Sequence, residues 1–187
     1  MKNWKHRTGL TAMALIVLLS ANGQQNIALG KPVTVTSEAA GFPALNMVDG
    51  KVSRTSVWQA GNNKAPHIVE IDLKKYYTVT ELRVHSGVLD TEKRADEMTQ
   101  AAGFWSIKNF KLQYWDDANW SDFPKSEVHE NRQVSAVFNY SPAITTFKIR
   151  LICDDGEPIS IMEIEAIGTE TPGMPPPPTM QSTIVTQ

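Results

Sequence analysis

Cysteine occurs once in the 187 residues, at Cys153, which excludes an internal disulfide and a thiolate zinc cluster. Histidine is also scarce. Four residues, one of them near the N-terminus, leave little material for a His-rich catalytic metal site. A basic surplus is missing: 18 Lys and Arg face 20 Asp and Glu, a net charge of −2, so the chain lacks what neutralises a phosphate backbone. Nucleic acid is excluded as a partner on that ground. Helical periodicity is nearly absent. Only Asp90 to Ala102 (DTEKRADEMTQAA) has a helical look, and it is polar almost all round, so it reads as a loop with at most a turn or two of helix. Disorder is excluded in turn by the 41% apolar and 20% charged composition, which is that of a globular domain.

Both ends depart from this average. Lys2, Lys5 and Arg7 precede the apolar run Leu10 to Leu19, which is followed by Ser20-Ala21-Asn22-Gly23. Positive head, short apolar stretch and small residues before a cut after Gly23 make the pattern of a secretory signal peptide over residues 1–23. A membrane anchor is the competing reading, but the run falls short of a ~20-residue span and no lipid-accepting cysteine follows it. Export after cleavage is expected, with no transmembrane segment remaining, and the mature chain then carries 15 Lys and Arg against 20 acids. At the other end, residues 171–187 (TPGMPPPPTMQSTIVTQ) are uncharged, and Pro175 to Pro178 donate no backbone hydrogen bond. They read as a Pro-rich linker or disordered tail, as in a fragment of a larger exported enzyme or surface protein. The foldable unit is residues 24–170.

Within that unit the period is two. Val69, Ile71 and Leu73 alternate with Glu70 and Asp72; Leu82 and Val84 alternate with Glu81, Arg83 and His85. Phe110, Leu112 and Tyr114 alternate with Lys111 and Gln113, and Phe147, Ile149 and Leu151 with Lys148 and Arg150. Each run predicts a half-buried strand. Val33 to Thr36 and Ile159 to Ile167 add two more. Turn signals separate them at Asp49-Gly50, Gly61-Asn62-Asn63, Asp116-Asp117, Ser141-Pro142 and Asp154-Asp155-Gly156. Many strands with short turns predict an all-β antiparallel sandwich.

The order of short motifs narrows the class further. Asn26-Ile27-Ala28-Leu29-Gly30-Lys31-Pro32-Val33 opens the unit, then Ala44-Leu45-Asn46-Met47-Val48-Asp49-Gly50, with Trp58 eight residues after Gly50. Val69-Glu70-Ile71-Asp72-Leu73, Asn109 to Trp115, Phe147 to Leu151 and Met162-Glu163-Ile164-Glu165-Ala166-Ile167-Gly168 complete the series. In this order and spacing the chain, from Asn26 to Gly168, resembles the coagulation factor V/VIII type C (discoidin) domain. That superfamily of galactose-binding-like folds includes many bacterial carbohydrate-binding modules. The resemblance implies a jelly-roll β-sandwich of about eight antiparallel strands.

It also implies a structural calcium ion. Calcium takes six to eight oxygens, largely carboxylates and carbonyls on a curled loop, and the segment Asn46 to Ser56 with Gly50 at its turn is such a loop. Carried over by position, Asp49 and Glu163 would ligate by carboxylate, and Asn46, Lys51, Ser56 and Met162 mainly by backbone oxygens. Seven residues separate Asp49-Gly50 from Trp58 where the family has about five, which leaves Thr55 or Ser53 as alternatives to Ser56. The competing reading makes Asp49 a turn cap and Glu163 a solvated strand residue.

Tryptophan carries two different expectations. Trp58, at a strand start, reads as core, and Trp115 alternates away from the Phe110-Leu112-Tyr114 face. Phe104 and Trp105 follow the polar insertion, in the loop region where the family's binding end lies. An aromatic face flanked by amide, imidazole and guanidinium groups suits a sugar. Candidate carbohydrate-binding residues are therefore Trp105, Phe104, Arg94, Asn62, Asn63, Gln59 and His85, with Phe42 and His67 nearby. Sugar-binding members commonly have His directly after the tryptophan, where this chain has Gln59. Catalysis finds no support: no carboxylate pair sits in a recognisable glycosidase setting, no nucleophile elbow occurs, and Cys153 reads as a partly buried thiol. The expected function is a secreted, non-catalytic carbohydrate-binding module recognising glycans. The alternatives are a protein-binding adhesion domain and a scaffold without a ligand. Lipid binding is disfavoured by the acidic balance.

Overall fold

The computed structural model describes residues 23–87, 106–180, 182 and 184. Its strands, in chain order, are β1 (Gln25–Asn26), β2 (Val33–Val35), β3 (Trp58–Gln59), β4 (His67–Ser86), β5 (Phe110–Trp115), β6 (Trp120–Asp122), β7 (Ser135–Cys153) and β8 (Ser160–Glu170). A 3-10 turn over Ala44–Val48 stands between β2 and β3. Residues 1–22, which are all but the last residue of the expected signal peptide, and residues 88–105 lie outside the described residues.

Two long strands build the sandwich. The sequence predicts separate strands at His67–Leu73 and Glu81–His85; the structure joins them in β4, 20 residues long. The strand bends at Lys74, whose φ of 69° is held by a 2.9 Å bond from its N–H to Asp72 Oδ1. The register against β7 breaks between Asp72 and Tyr77, and the two halves of β4 then join different layers. Its first half lies between β2 and the second half of β7, with β5 and β6 beyond; its second half lies between β8 and the first half of β7. All pairings are antiparallel, as in the jelly-roll sandwich the sequence predicts. Ser141-Pro142, a predicted turn, instead lies inside β7 with a cis peptide bond.

Alternation sorts the side chains. Val69, Ile71 and Leu73 of one layer and Leu82, Val84, Ile164 and Ala166 of the other share one core with Leu112, Ile149, Leu151 and Trp58. Trp58 is fully buried and its indole N–H donates to Ser37 O at 3.2 Å, so this tryptophan is core. Gly168 lets β8 approach β4: a Cβ there would stand 2.4 Å from Thr78 O. No described helix is long and apolar enough to cross a membrane.

Candidate functional site

Because β4 bends back, both of its ends return to one end of the sandwich. The loops meeting there are tied by backbone bonds: Ala60 N to Ile159 O (3.1 Å), Gly87 N to Ser160 O (2.9 Å), Asp154 N to Asn109 O (3.0 Å) and Asn131 N to Lys108 O (2.9 Å). Asp155 is the hub. Its buried carboxylate accepts the N–H groups of Lys108 and Asn109, the Asn109 amide at 2.8 Å and the Cys153 thiol at 3.4 Å. The chain therefore enters β5 on a fixed path. In the sequence Asp155 is only half of a turn signal, because its partners lie 46 and 47 residues away.

The described candidates divide between two places. Gln59, half-buried on β3, and the loop residues Asn62 and Asn63 stand at this loop end, where Asn62 Oδ1 holds Lys64 N at 2.9 Å and Asn63 O lies 3.9 Å from a Cβ built on Gly156. Phe104, Trp105 and Arg94 lie outside the described residues. His67, placed by the sequence near the carbohydrate-binding candidates, is instead a core residue at 0% exposure, paired across the sheet with Cys153. Burial pushes its imidazole below the ordinary value, with Asp155 acting the other way. Burial likewise seals Cys153, fully enclosed rather than partly buried, and pushes its thiol far up, away from any nucleophile's range.

His85 faces outward on the other layer, in a cross-strand row with Ser135 and Glu163. Its Nδ1 pairs with Ser135 Oγ at 2.7 Å, and its Nε2 lies 3.5 Å from Glu165 Oε2. Burial holds the imidazole below its ordinary value, and Glu165 opposes this. The Ser–His–acid line lies flat across three paired strands whose amides are engaged in the ladder.

Next to His85 in that row, Glu163 sits under the loop that follows the 3-10 turn. It is outward-facing yet 0% exposed, so the solvated-strand reading of this residue is wrong. Both of its carboxylate oxygens accept the Gly50 N–H at 3.2 Å. Burial pushes the carboxyl up to about 7, and the charges of Asp49 and Glu165 add to the effect. Asp49 turns its own loop: Oδ1 accepts Lys51 N at 2.9 Å and Oδ2 accepts the Ser56 hydroxyl at 2.5 Å. The Ser53 and Thr55 hydroxyls pair with each other at 2.9 Å on the exposed side, so Ser56 is the hydroxyl that faces Asp49. Asn46 fixes the other flank through Nδ2 to Val57 O at 3.0 Å, and Met162 is buried against Val57 and Val134. The donor set could hold a hard cation: Glu163 is a buried carboxylate with no cationic partner among the described residues, and Asp49 beside it meets only the exposed Lys51 ammonium, at 3.4 Å, which an ion would have to displace. No three His, Cys, Asp or Glu side chains converge among the described residues, so an ion here would depend on backbone oxygens, as calcium does.

With this geometry in hand, the chain can be set beside known proteins. Residues 32–164 match the family described as F5/8 type C domain. Among solved structures, a fucose binding module of Streptococcus pneumoniae aligns at 23% identity and a TM-score of 0.60, over 78% of this chain and 96% of that one. Chitosan-binding module 1 of a chitosanase/glucanase from Paenibacillus sp. IK-5 aligns at 20% identity and 0.58, covering 76% and 98%. The lectin domain of lectinolysin, in complex with Lewis B antigen, aligns at 19% and 0.59, covering 77% and 96%. At these identities the likeness concerns the fold. No curated protein matches the chain.

Proposed function

The chain belongs to the F5/8 type C domain family, and from that premise we propose that it is an exported, non-catalytic carbohydrate-binding module. One observation carries the reading. Both ends of β4 converge on one end of the sandwich, where loops locked together through Asp155 present the uncharged amides of Gln59, Asn62 and Asn63. Amide groups pair with sugar hydroxyls, and Trp105, Phe104 and Arg94 complete the proposed set with ring faces and a guanidinium group. The neighbours named for fucose, chitosan and Lewis B antigen support a glycan as the class of ligand. Among the described residues at this end, Asp155 is enclosed by its donors and Glu157 is bonded to Lys108 Nζ at 2.9 Å, so both carboxylates serve the loops that hold them.

A structural calcium ion belongs to the same proposal. Asp49 and Glu163 would hold it by carboxylate, with backbone oxygens of Asn46, Lys51, Ser56 and Met162. The ion would neutralise two adjacent carboxylates and pin the loop to β8. Residues 1–23 act in this reading as the export leader.

The test is a broad glycan array probed with the chain from Gln24 to Gln187. Binding to at least one glycan class, at dissociation constants from micromolar to millimolar (roughly 4–8 kcal/mol), is expected. An array without a single bound glycan would favour the protein-adhesion alternative.

A further inference from the structure

Outward positions of a sheet face water unless something covers them. On the β2–β4–β7–β5–β6 layer these positions include Glu70, Lys148 and Gln113, yet they are only 4%, 5% and 9% exposed. An enclosed carboxylate requires partners, and Glu70 has them on both oxygens. Arg150 reaches Oε1 through Nε at 3.1 Å and through Nη2. The same guanidinium lies 4.0 Å above the centre of the Trp120 ring, and Trp120 meets Trp115 edge-on at 5.5 Å. The second oxygen, Oε2, accepts the hydroxyl of Ser182 at 2.9 Å, from 112 residues along the chain.

The C-terminal segment is thus held at two points. At its start, Thr171 N donates to Tyr76 O at 2.9 Å and its hydroxyl pairs with that of Thr78 at 2.9 Å, just past the bend of β4. At Ser182 it returns to the middle of the first half of β4. The six residues from Tyr76 back to Glu70 span at most about 20 Å of strand. The eleven from Thr171 to Ser182 reach roughly 34 Å in polyproline geometry, ample to follow the layer. Pro175 to Pro178 have no N–H left unsatisfied by such a path, and Pro177 among them is half-buried. The segment brings no charge of its own to disturb the Glu70–Arg150 pair.

We propose that this outer face, built from Glu70, Arg150, Trp120 and Trp115, is a docking groove for an extended, uncharged, proline-rich chain, and that its occupant is the protein's own C-terminal segment, held at Thr171 and at Ser182. The segment is then a strap across the sheet, and the tryptophan pair beneath it belongs to the strap, not to the glycan site.

Amide relaxation on the 15N-labelled chain from Gln24 to Gln187 tests this. Order parameters for Thr179, Met180, Ser182 and Ile184 close to the strand value of about 0.85 are expected, against values below about 0.6 for a free tail. Ser182→Ala should lower them and shift the Trp120 indole and Arg150 Nε–H resonances. Free-tail values in the unmodified chain would overturn the proposal, and so would a Ser182→Ala variant with both resonances unmoved. In a mixture of labelled and unlabelled chains, contacts from Ser182 to Trp120 must stay within one molecule. Contacts that cross between molecules would give the groove to a second copy and overturn the strap.

Discussion

Glu163 and His67 are two ionisable side chains enclosed for different purposes. Glu163 accepts the Gly50 N–H but has no cationic partner among the described residues, which is the physical motive for proposing calcium between it and Asp49, in place of the exposed Lys51 ammonium. Calcium at about a hundred times its dissociation constant should raise unfolding free energy by roughly 2.7 kcal/mol over chelator. Glu163→Gln keeps the shape and should remove most of that response, as should Asp49→Ala. Melting curves in chelator and in calcium check this, and identical curves for the unmodified protein would exclude the ion. His67 is a buried core residue whose proton affinity is lowered by burial. Its folded value lies below the unfolded 6.5, so the unfolded chain takes up the proton first as pH falls. Stability is full above 6.5 and declines below it, by at most about 1.4 kcal/mol per pH unit, until the folded value is passed. His85 declines in the same sense, so the difference between unmodified protein and His67→Leu isolates the effect. Urea midpoints at pH 7 and 5 should fall less in His67→Leu, and equal falls would show that His67 titrates normally.

At the scale of elements, alternation was legible because it reports burial directly: Val69-Glu70-Ile71-Asp72-Leu73 must have two unlike faces. The bend at Lys74 was not, since nothing in Asp72-Leu73-Lys74-Lys75 forces a positive φ until Asp72 bonds back to the Lys74 amide. For the same reason one strand read as two. Ser141-Pro142 misled in the opposite direction, as a turn signal that the long pairing of β7 with β4 overrides. Site residues separate along the same line. Motif order names Asp49, Gly50 and Glu163 as candidates, and Gly50 does meet Glu163, whereas nothing in the sequence points to Asp155 or to the Glu70–Arg150–Trp120 stack, which depend on contacts between distant residues. Gly168 closes the last motif and shows what such a contact demands. Gly168→Ala sets a methyl against the Thr78 carbonyl and should cost on the order of 1–3 kcal/mol, read as a lower denaturant midpoint at unchanged strand content. An unchanged midpoint would mean that β8 and β4 separate easily.

Across the whole molecule, the fold keeps its candidate surfaces apart. One end of the sandwich gathers the loops proposed to meet a glycan, the outer face of the β8 layer holds the Asp49–Glu163 corner, and the opposite outer face carries the Glu70–Ser182 contact on which the strap is proposed. That separation makes the account testable as a geometry. The most direct measurement is calorimetric titration, with a glycan selected on the array, of the unmodified chain, Trp105→Ala and Trp120→Ala, each checked for an intact melting transition. The account predicts that Trp105→Ala abolishes detectable binding without unfolding the domain, while Trp120→Ala binds as the unmodified chain does. Loss of binding in Trp120→Ala with binding kept in Trp105→Ala would contradict it and move the glycan site to the sheet face.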